Sequence, residues 1–243
     1  MIPFCDIHQH CLYGLDDGAQ TAADMQQMLE CACRDGADTI VATPHCAPGA
    51  ADYPLATVRE RAQEARAYCL AQGLSIAVVV GAEVLYTPAL HNVIRDRALP
   101  TLGGARHVLV EFVPDIGWRD LRGAVALLAG HGYRPVIAHV ERYPCLMRHR
   151  HRLTRLKAAW PVLYQLNCET LLTPQSPRQR LRVQWMLRRQ LIDIVATDAH
   201  NVTTRRPCMT QAYRLLCKCV PQTYADAATC CVTSRAGCAV AYG

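Results

Sequence analysis

The sequence predicts an α/β fold in which a parallel sheet of seven strand-helix units curls towards a barrel. Three observations predict it. Short β-rich runs alternate strictly with amphipathic or polar stretches, no Pro/Gly/Ser linker divides the chain, and polar residues recur at the same end of the strands. Seven units fall one short of the eight-fold barrel. The 243 residues suit a single domain of that kind, expected over 1–243.

The first strand is "IPFCDI". A helix over residues 21–34 follows, with Thr21 and Asp24 as a capping pair and Met25, Met28, Leu29 and Ala32 as its apolar stripe; Gly36 lies just past its end. "DTIVAT" is the second strand, and a helix over 54–72 starts at Pro54 and stops at Gly73. "SIAVVVGAEV" is the third and clearest strand. "HVLVEF", "RPVIAHV", "VLYQLN" and "LIDIVATDAH" complete the seven, each preceded by a helical pattern. Such strict alternation requires parallel strands covered by helices.

Composition excludes several classes. A hydrophobic fraction of 51% argues against a disordered chain. The start turns polar at once, unlike an export leader, and no run approaches the roughly 18 apolar residues of a membrane span. A cytoplasmic location without direct membrane insertion is therefore expected. Fourteen cysteines suggest a disulfide scaffold, but no CxxC pair is present, so nearly all are read as small buried hydrophobes. The net charge of +6 rests on arginine, with only Lys157 and Lys218 as lysines. The densest basic run, "RHRHRLTR" at 148–155, fits either a solvated helix face or attraction of an acidic or phosphorylated partner.

The polar residues then fall into a pattern. Glu83, Glu111, His139 and Asn167 follow one another at intervals of 28, and Asp198 comes 31 later, each at the C-terminal end of its strand. His8 and His10 end the first strand and His45 follows the second. In a barrel of this kind those ends surround one mouth. His8 and His10, two apart on a strand, project to one face, and Asp198 and His200 repeat the arrangement. A buried carboxylate such as Glu83 or Glu111 needs a cation. Histidine nitrogen mixed with carboxylate oxygen, without thiolate, suits Mn²⁺, Fe²⁺ or Zn²⁺ in a catalytic site.

"DIHQH", "ATPH", "GAE", "LVEF", "AHVERY" and "TDAHN", in this order over about residues 4–207, resemble the polymerase-and-histidinol-phosphatase (PHP) superfamily. The nearer likeness is to its branch of bacterial protein-tyrosine phosphatases from capsular and exopolysaccharide operons. The resemblance implies a distorted TIM-like (βα)7 barrel of the PHP type, with three divalent metal ions at the C-terminal strand ends. Mn²⁺ is the first expectation, Fe²⁺ or Zn²⁺ the alternatives. Carried over by motif, His8, His10, Glu83 and Asp198 would hold one ion. Glu83, Glu111 and His139 would hold a second, and Asp17, His45 and His200 a third. Asp17 is chosen over Asp16 because its offset from His10 fits the family, and Asp16 is expected to be solvated. The carboxylates at 17 and 111 match the tyrosine-phosphatase branch, where histidinol-phosphatase-like relatives tend to carry histidine. "ERY" makes Arg142 a candidate phosphate clamp, and Arg205 is a second, with Arg206 its alternative.

The implied activity is hydrolysis of phosphotyrosine by metal-bound hydroxide, on a protein partner that is a bacterial tyrosine kinase and not a nucleic acid. The alternatives are a PHP phosphoesterase acting on histidinol phosphate or a nucleic-acid end, and a silent metal-binding module that docks to a kinase. Cys208 and Arg214 fit C-x5-R, but "MTQAY" between them has no glycine to wrap a phosphate, so Cys208 is read as helix packing. Cys46 and Val140 depart from the family's usual histidine and proline, and Cys46 is expected to alter metal preference or make the site oxidisable. Asp6 is expected to orient a neighbouring ligand, and residues 221–243 carry no interpretable motif.

Overall fold

The computed structural model describes residues 4–49, 53–95 and 99–230. The elements are β1 (Phe4–Gln9), α1 (Ala22–Arg34), β2 (Ala37–Ala42), β3 (His45–Cys46), α2 (Leu55–Ala71), β4 (Ala77–Val80), β5 (Glu83–Leu85) and α3 (Leu90–Arg95). They continue with β6 (His107–Glu111), α4 (Trp118–Gly130), β7 (Arg134–Ile137), α5 (Pro144–Met147) and α6 (His151–Ala159). Last come β8 (Leu163–Asn167), α7 (Cys168–Leu172), α8 (Pro177–Arg188), β9 (Ile194–Ala196), α9 (Met209–Cys219) and α10 (Gln222–Thr229).

Every strand pair is parallel, in the orders β1-β2-β4 and β3-β5-β6-β7-β8-β9. The chain after β9 closes on β1. Asp198 N donates to His8 O (2.8 Å), His10 N donates to Ala199 O (2.9 Å), and Gln9 bridges to Ala199. Seven strand positions therefore make a distorted barrel, as the alternation predicts. The distortion is that the third expected strand is broken and the second is followed by a separate two-residue strand. Pro44, which has no N–H to give a ladder, separates β2 from β3, and Gly81 separates β4 from β5. The break has a consequence for the site: β3 and β5 pair on their own, with His45 directly beside Glu83. Leu102, in the 3₁₀ turn Leu102–Gly104, packs against Gly81 and Val41 inside the barrel.

Alternation along the strands sorts the core into layers. Cys5, Ile7, Leu109, Val136, Ala138 and Ile194 fill the barrel interior. The opposite faces, such as Val108, Val110, Tyr164 and Leu166, pack under the helices. Helix α1 starts where the sequence says: Thr21 N–H donates to Asp24 Oδ2 (2.8 Å) and Asp24 N–H to Thr21 Oγ1 (3.2 Å). Its stripe of Met25, Met28, Leu29 and Ala32 is buried, and Gly36 takes φ of +96° just past its end. Among the twelve cysteines described none is in a disulfide, and six are buried. The expectation of near-complete burial is corrected: Cys31, Cys33, Cys145, Cys217 and Cys230 are only half-buried and Cys219 is exposed. The expectation for residues 221–243 lies partly outside the described residues. No described helix is long and apolar enough to cross a membrane.

Candidate metal centre

The barrel brings all nine candidate ligands to one mouth, and Glu83 is at its centre. Its carboxylate lies within 3.3 Å of four histidines: Oε2 is 3.2 Å from His8 Nε2, 3.3 Å from His10 Nε2 and 3.2 Å from His45 Nδ1, and Oε1 is 3.0 Å from His139 Nε2. Burial pushes the Glu83 carboxyl up, but the surrounding histidines outweigh it and hold it well below the usual range.

Three donor groups surround it. His8, His10, Glu83 and Asp198 form a fully buried set, with Asp198 Oδ1 3.4 Å from His8 Nε2. On one side Glu111 approaches His139 (3.5 Å) and His45 (3.8 Å), and His45, Glu83 and Glu111 form a compact group. On the other, Asp17 Oδ1 lies 3.3 Å from His45 Nε2 and 3.2 Å from His200 Nε2, grouped with His10. Imidazole nitrogens and carboxylate oxygens converging without a thiolate fit divalent ions such as Mn²⁺, Fe²⁺ or Zn²⁺. Besides the histidines, two arginines reach the carboxylates of this site. Arg142 Nη2 donates to Asp198 Oδ2 (3.0 Å) and Arg205 Nη2 lies 2.8 Å from Asp198 Oδ1. Arg205, rather than Arg206, makes these contacts and also reaches Asp17 (3.7 Å).

The histidines are oriented from behind. His10 Nδ1 donates to Asp16 Oδ2 (2.7 Å), which also accepts from His45 N (3.1 Å), while Asp16 Oδ1 accepts from Gly18 N (2.9 Å). The expectation that Asp16 is solvated is therefore corrected: its side chain is only 4% exposed, whereas that of Asp17 is 64% exposed. The turn depends on Gly18, where a Cβ would fall 2.1 Å from His10 O. Burial lowers the His10 pKa, but Asp16 and Glu83 reverse this and raise it to about 10. His139 likewise rises to about 9, burial being outweighed by Glu111 and Glu83. His200 falls to about 4 through burial and the nearby His10 and Arg205.

Gln165 and Asn167, on the inner face of β8, are contacts the sequence reading did not assign. Gln165 Oε1 accepts from His8 Nδ1 (3.2 Å) and from His139 N–H (2.7 Å). Its Nε2 donates to Asn167 Oδ1 (2.8 Å), and Asn167 Nδ2 donates to Asp198 Oδ2 (2.8 Å). Two neutral amides thus tie three candidate ligands together. Tyr143, of "ERY", meets His139 Nδ1 through its hydroxyl (3.3 Å), which also accepts from Phe112 N–H (3.1 Å). The signal was present: Gln165 and Asn167 are two apart, like His8 and His10, in an otherwise apolar strand. Two candidate ligands sit in left-handed backbone, His139 at φ 30° and Asp198 at φ 54°, a conformation that costs of order 1–3 kcal/mol and clusters at functional sites.

Other expectations resolve differently. Asp6 touches no candidate-ligand side chain; it accepts from His8 N (3.3 Å) and Thr197 N (3.0 Å), bracing the backbone on both sides of the closure. Cys46 is buried in the core under the helices, where burial pushes its thiol up to about 11, so the expectation that it alters the metal site is corrected. Val140 packs in the same core. Cys208 is buried at the start of α9, as expected for packing, and Arg214 is exposed.

Comparison with known proteins shows what the chain is similar to. The family described as "Capsular polysaccharide synthesis, CpsB/CapC" matches residues 4–234. Tyrosine-protein phosphatase YwqE of Bacillus subtilis is 33% identical over 202 residues, covering 82% of this chain and 78% of that protein. Tyrosine-protein phosphatase CpsB of Streptococcus pneumoniae is 29% identical over 218 residues, covering 88% and 89%. Crystal structures of those two proteins, described as unique metal-dependent tyrosine phosphatases, include one that superposes with a TM-score of 0.80 at 31% identity, covering 88% of this chain and 86% of that one. Histidinol phosphate phosphatase of Lactococcus lactis shares the fold, with a TM-score of 0.57 at 17% identity over 90% and 94% of the chains. The chain belongs to the CpsB/CapC family of capsular polysaccharide synthesis.

Proposed function

We propose that this protein is a metal-dependent protein-tyrosine phosphatase, acting as a single cytoplasmic domain on a tyrosine kinase of capsule or exopolysaccharide synthesis. The observation that carries it is the set of three donor groups at one mouth, two of which share Glu83, with two arginines at the edge. The reading assigns three divalent ions, with Mn²⁺ first, to His8, His10, Glu83 and Asp198, to Glu83, Glu111 and His139, and to Asp17, His45 and His200. Bound ions of this kind supply a water of near-neutral pKa and neutralise charge on phosphoryl oxygens. The relatives named tyrosine-protein phosphatases support the substrate class.

The chain's own residues then divide the work. Arg142 and Arg205 are partly exposed, with side chains 40% and 32% accessible, and are able to turn their forks to phosphate oxygens. Gln165 and Asp16 hold His8 and His10 by Nδ1, leaving Nε2 of each facing Glu83. A phenolate leaving group, with a pKa near 10, needs little protonation, so no general acid is assigned. The test is hydrolysis of a phosphotyrosine peptide, histidinol phosphate and a 3′-labelled oligonucleotide by one preparation, before and after chelation. Preference for the peptide, lost on chelation and restored by Mn²⁺, is expected. Preference for either other substrate would replace the reading with a different phosphoesterase, and hydrolysis of none would leave a kinase-docking module.

A further inference from the structure

The charge of this chain is strongly segregated. Residues 118–189 hold 14 of its 26 lysines and arginines and only three of its 20 acidic residues. This stretch carries a net +11, so the rest of the chain is net negative although the whole is +6. Arg148, Arg150, Arg155, Arg178, Arg180 and Arg189 are exposed on or beside α6 and α8, and none is in an ion pair among the described residues. Instead of carboxylates, guanidinium groups on this side find indoles. Arg150 and Arg189 lie 5.1 and 5.9 Å from the same Trp185 ring, Arg152 lies 5.1 Å from Trp118, and Arg122 lies 5.5 Å from Trp160. All three tryptophans of the protein thus lie against arginines on neighbouring units. A cation–π contact with an indole takes no guanidinium N–H into an ion pair, so N–H groups remain for an anion.

We propose that this arginine face of α6 and α8 docks an acidic segment of the same protein whose phosphotyrosine enters the candidate site. The inference rests on the phosphatase reading. Two observations favour one partner over the others. The face is joined to the site through the chain: Arg148 lies six positions after Arg142, which sits on Asp198, a span of at most roughly 20 Å that a short extended peptide can cover. A membrane surface would call for exposed apolar anchors, and Leu181 is the single large hydrophobic that is strongly exposed on α6 or α8.

The test uses phosphotyrosyl peptides flanked by glutamates or by lysines, with para-nitrophenyl phosphate as a substrate too small to reach the face. The probe variant combines Arg148→Glu, Arg155→Glu and Arg178→Glu, which spares the stacked arginines and the site. We expect the variant to raise KM for the glutamate-flanked peptide roughly tenfold, to leave kcat and para-nitrophenyl phosphate turnover unchanged, and to lose most of the salt dependence of KM. A non-hydrolysable glutamate-flanked phosphonate peptide should also change the tryptophan fluorescence of the unaltered protein and not of the variant. Equal KM values for the two peptides would overturn the docking surface, as would a fluorescence response to phosphatidylglycerol vesicles or an oligonucleotide but not to the peptide. Failure to hydrolyse para-nitrophenyl phosphate as well would instead remove the phosphatase reading, and the fluorescence titration would still decide the docking.

Discussion

Asp16 and His10 meet behind the candidate metal centre, Oδ2 lying 2.7 Å from Nδ1 on a carboxylate that is itself nearly buried. A carboxylate in this position fixes the ring and makes Nε2 a stronger donor. Asp16→Asn should therefore weaken divalent-metal binding by roughly 10- to 100-fold, read by calorimetric titration of the chelated protein, with little change in fold. Unchanged affinity would reduce Asp16 to a loop support.

The Gln165 side chain serves two candidate ligands at once. Gln165→Leu leaves the His139 N–H buried without its 2.7 Å acceptor and frees the ring of His8. Stability should fall by about 1–3 kcal/mol in denaturant unfolding, with a loss of metal affinity beside it. A stable variant with full affinity would show that the amide only fills space.

Gly18 is needed for space, not for unusual backbone. Its missing Cβ is where His10 O sits, at 2.1 Å. Gly18→Ala should push the Asp16–Asp17 turn off the site and cut phosphatase turnover far more than it lowers the melting temperature. Equal losses of both would point to a general folding role.

The pH dependence of the chelated protein follows from His10 and His139, raised to about 10 and about 9. Between the unfolded value near 6.5 and those values the folded chain holds more protons than the unfolded one. That contribution to stability is fully present below about 6.5 and fades as pH rises through the window. The melting temperature of chelated protein should thus fall from pH 6.5 to 9.5. Metal affinity should rise over the same range, because binding must expel those protons. A melting temperature that climbs with pH would mean that the two rings are neutral in the fold.

What could be read in advance was what a strand period reports. His8 and His10, or Asp198 and His200, stand out because polar residues end apolar runs two positions apart, and the barrel carries those ends to one mouth. The burial of Asp16 was not legible, because it depends on a turn that Gly18 lets fold against His10. The breaks at Pro44 and Gly81 were also missed, although they set His45 beside Glu83. Arg150 and Arg152 looked like free charge in "RHRHR", yet both lie over indoles that only the packing of α4, α6 and α8 brings near.

Glu83 belongs to two of the three assigned ion sets and lies within 3.3 Å of four of the histidines, so Glu83→Gln tests the account most directly. Metal content by plasma emission spectrometry and phosphotyrosine-peptide hydrolysis should be measured on the same purified samples of both proteins. The account predicts that the unaltered protein holds divalent ions, loses activity on chelation and regains it with Mn²⁺. It also predicts that the variant holds fewer ions and stays inactive at saturating Mn²⁺. Full activity in the variant, or in the chelated protein, would contradict it.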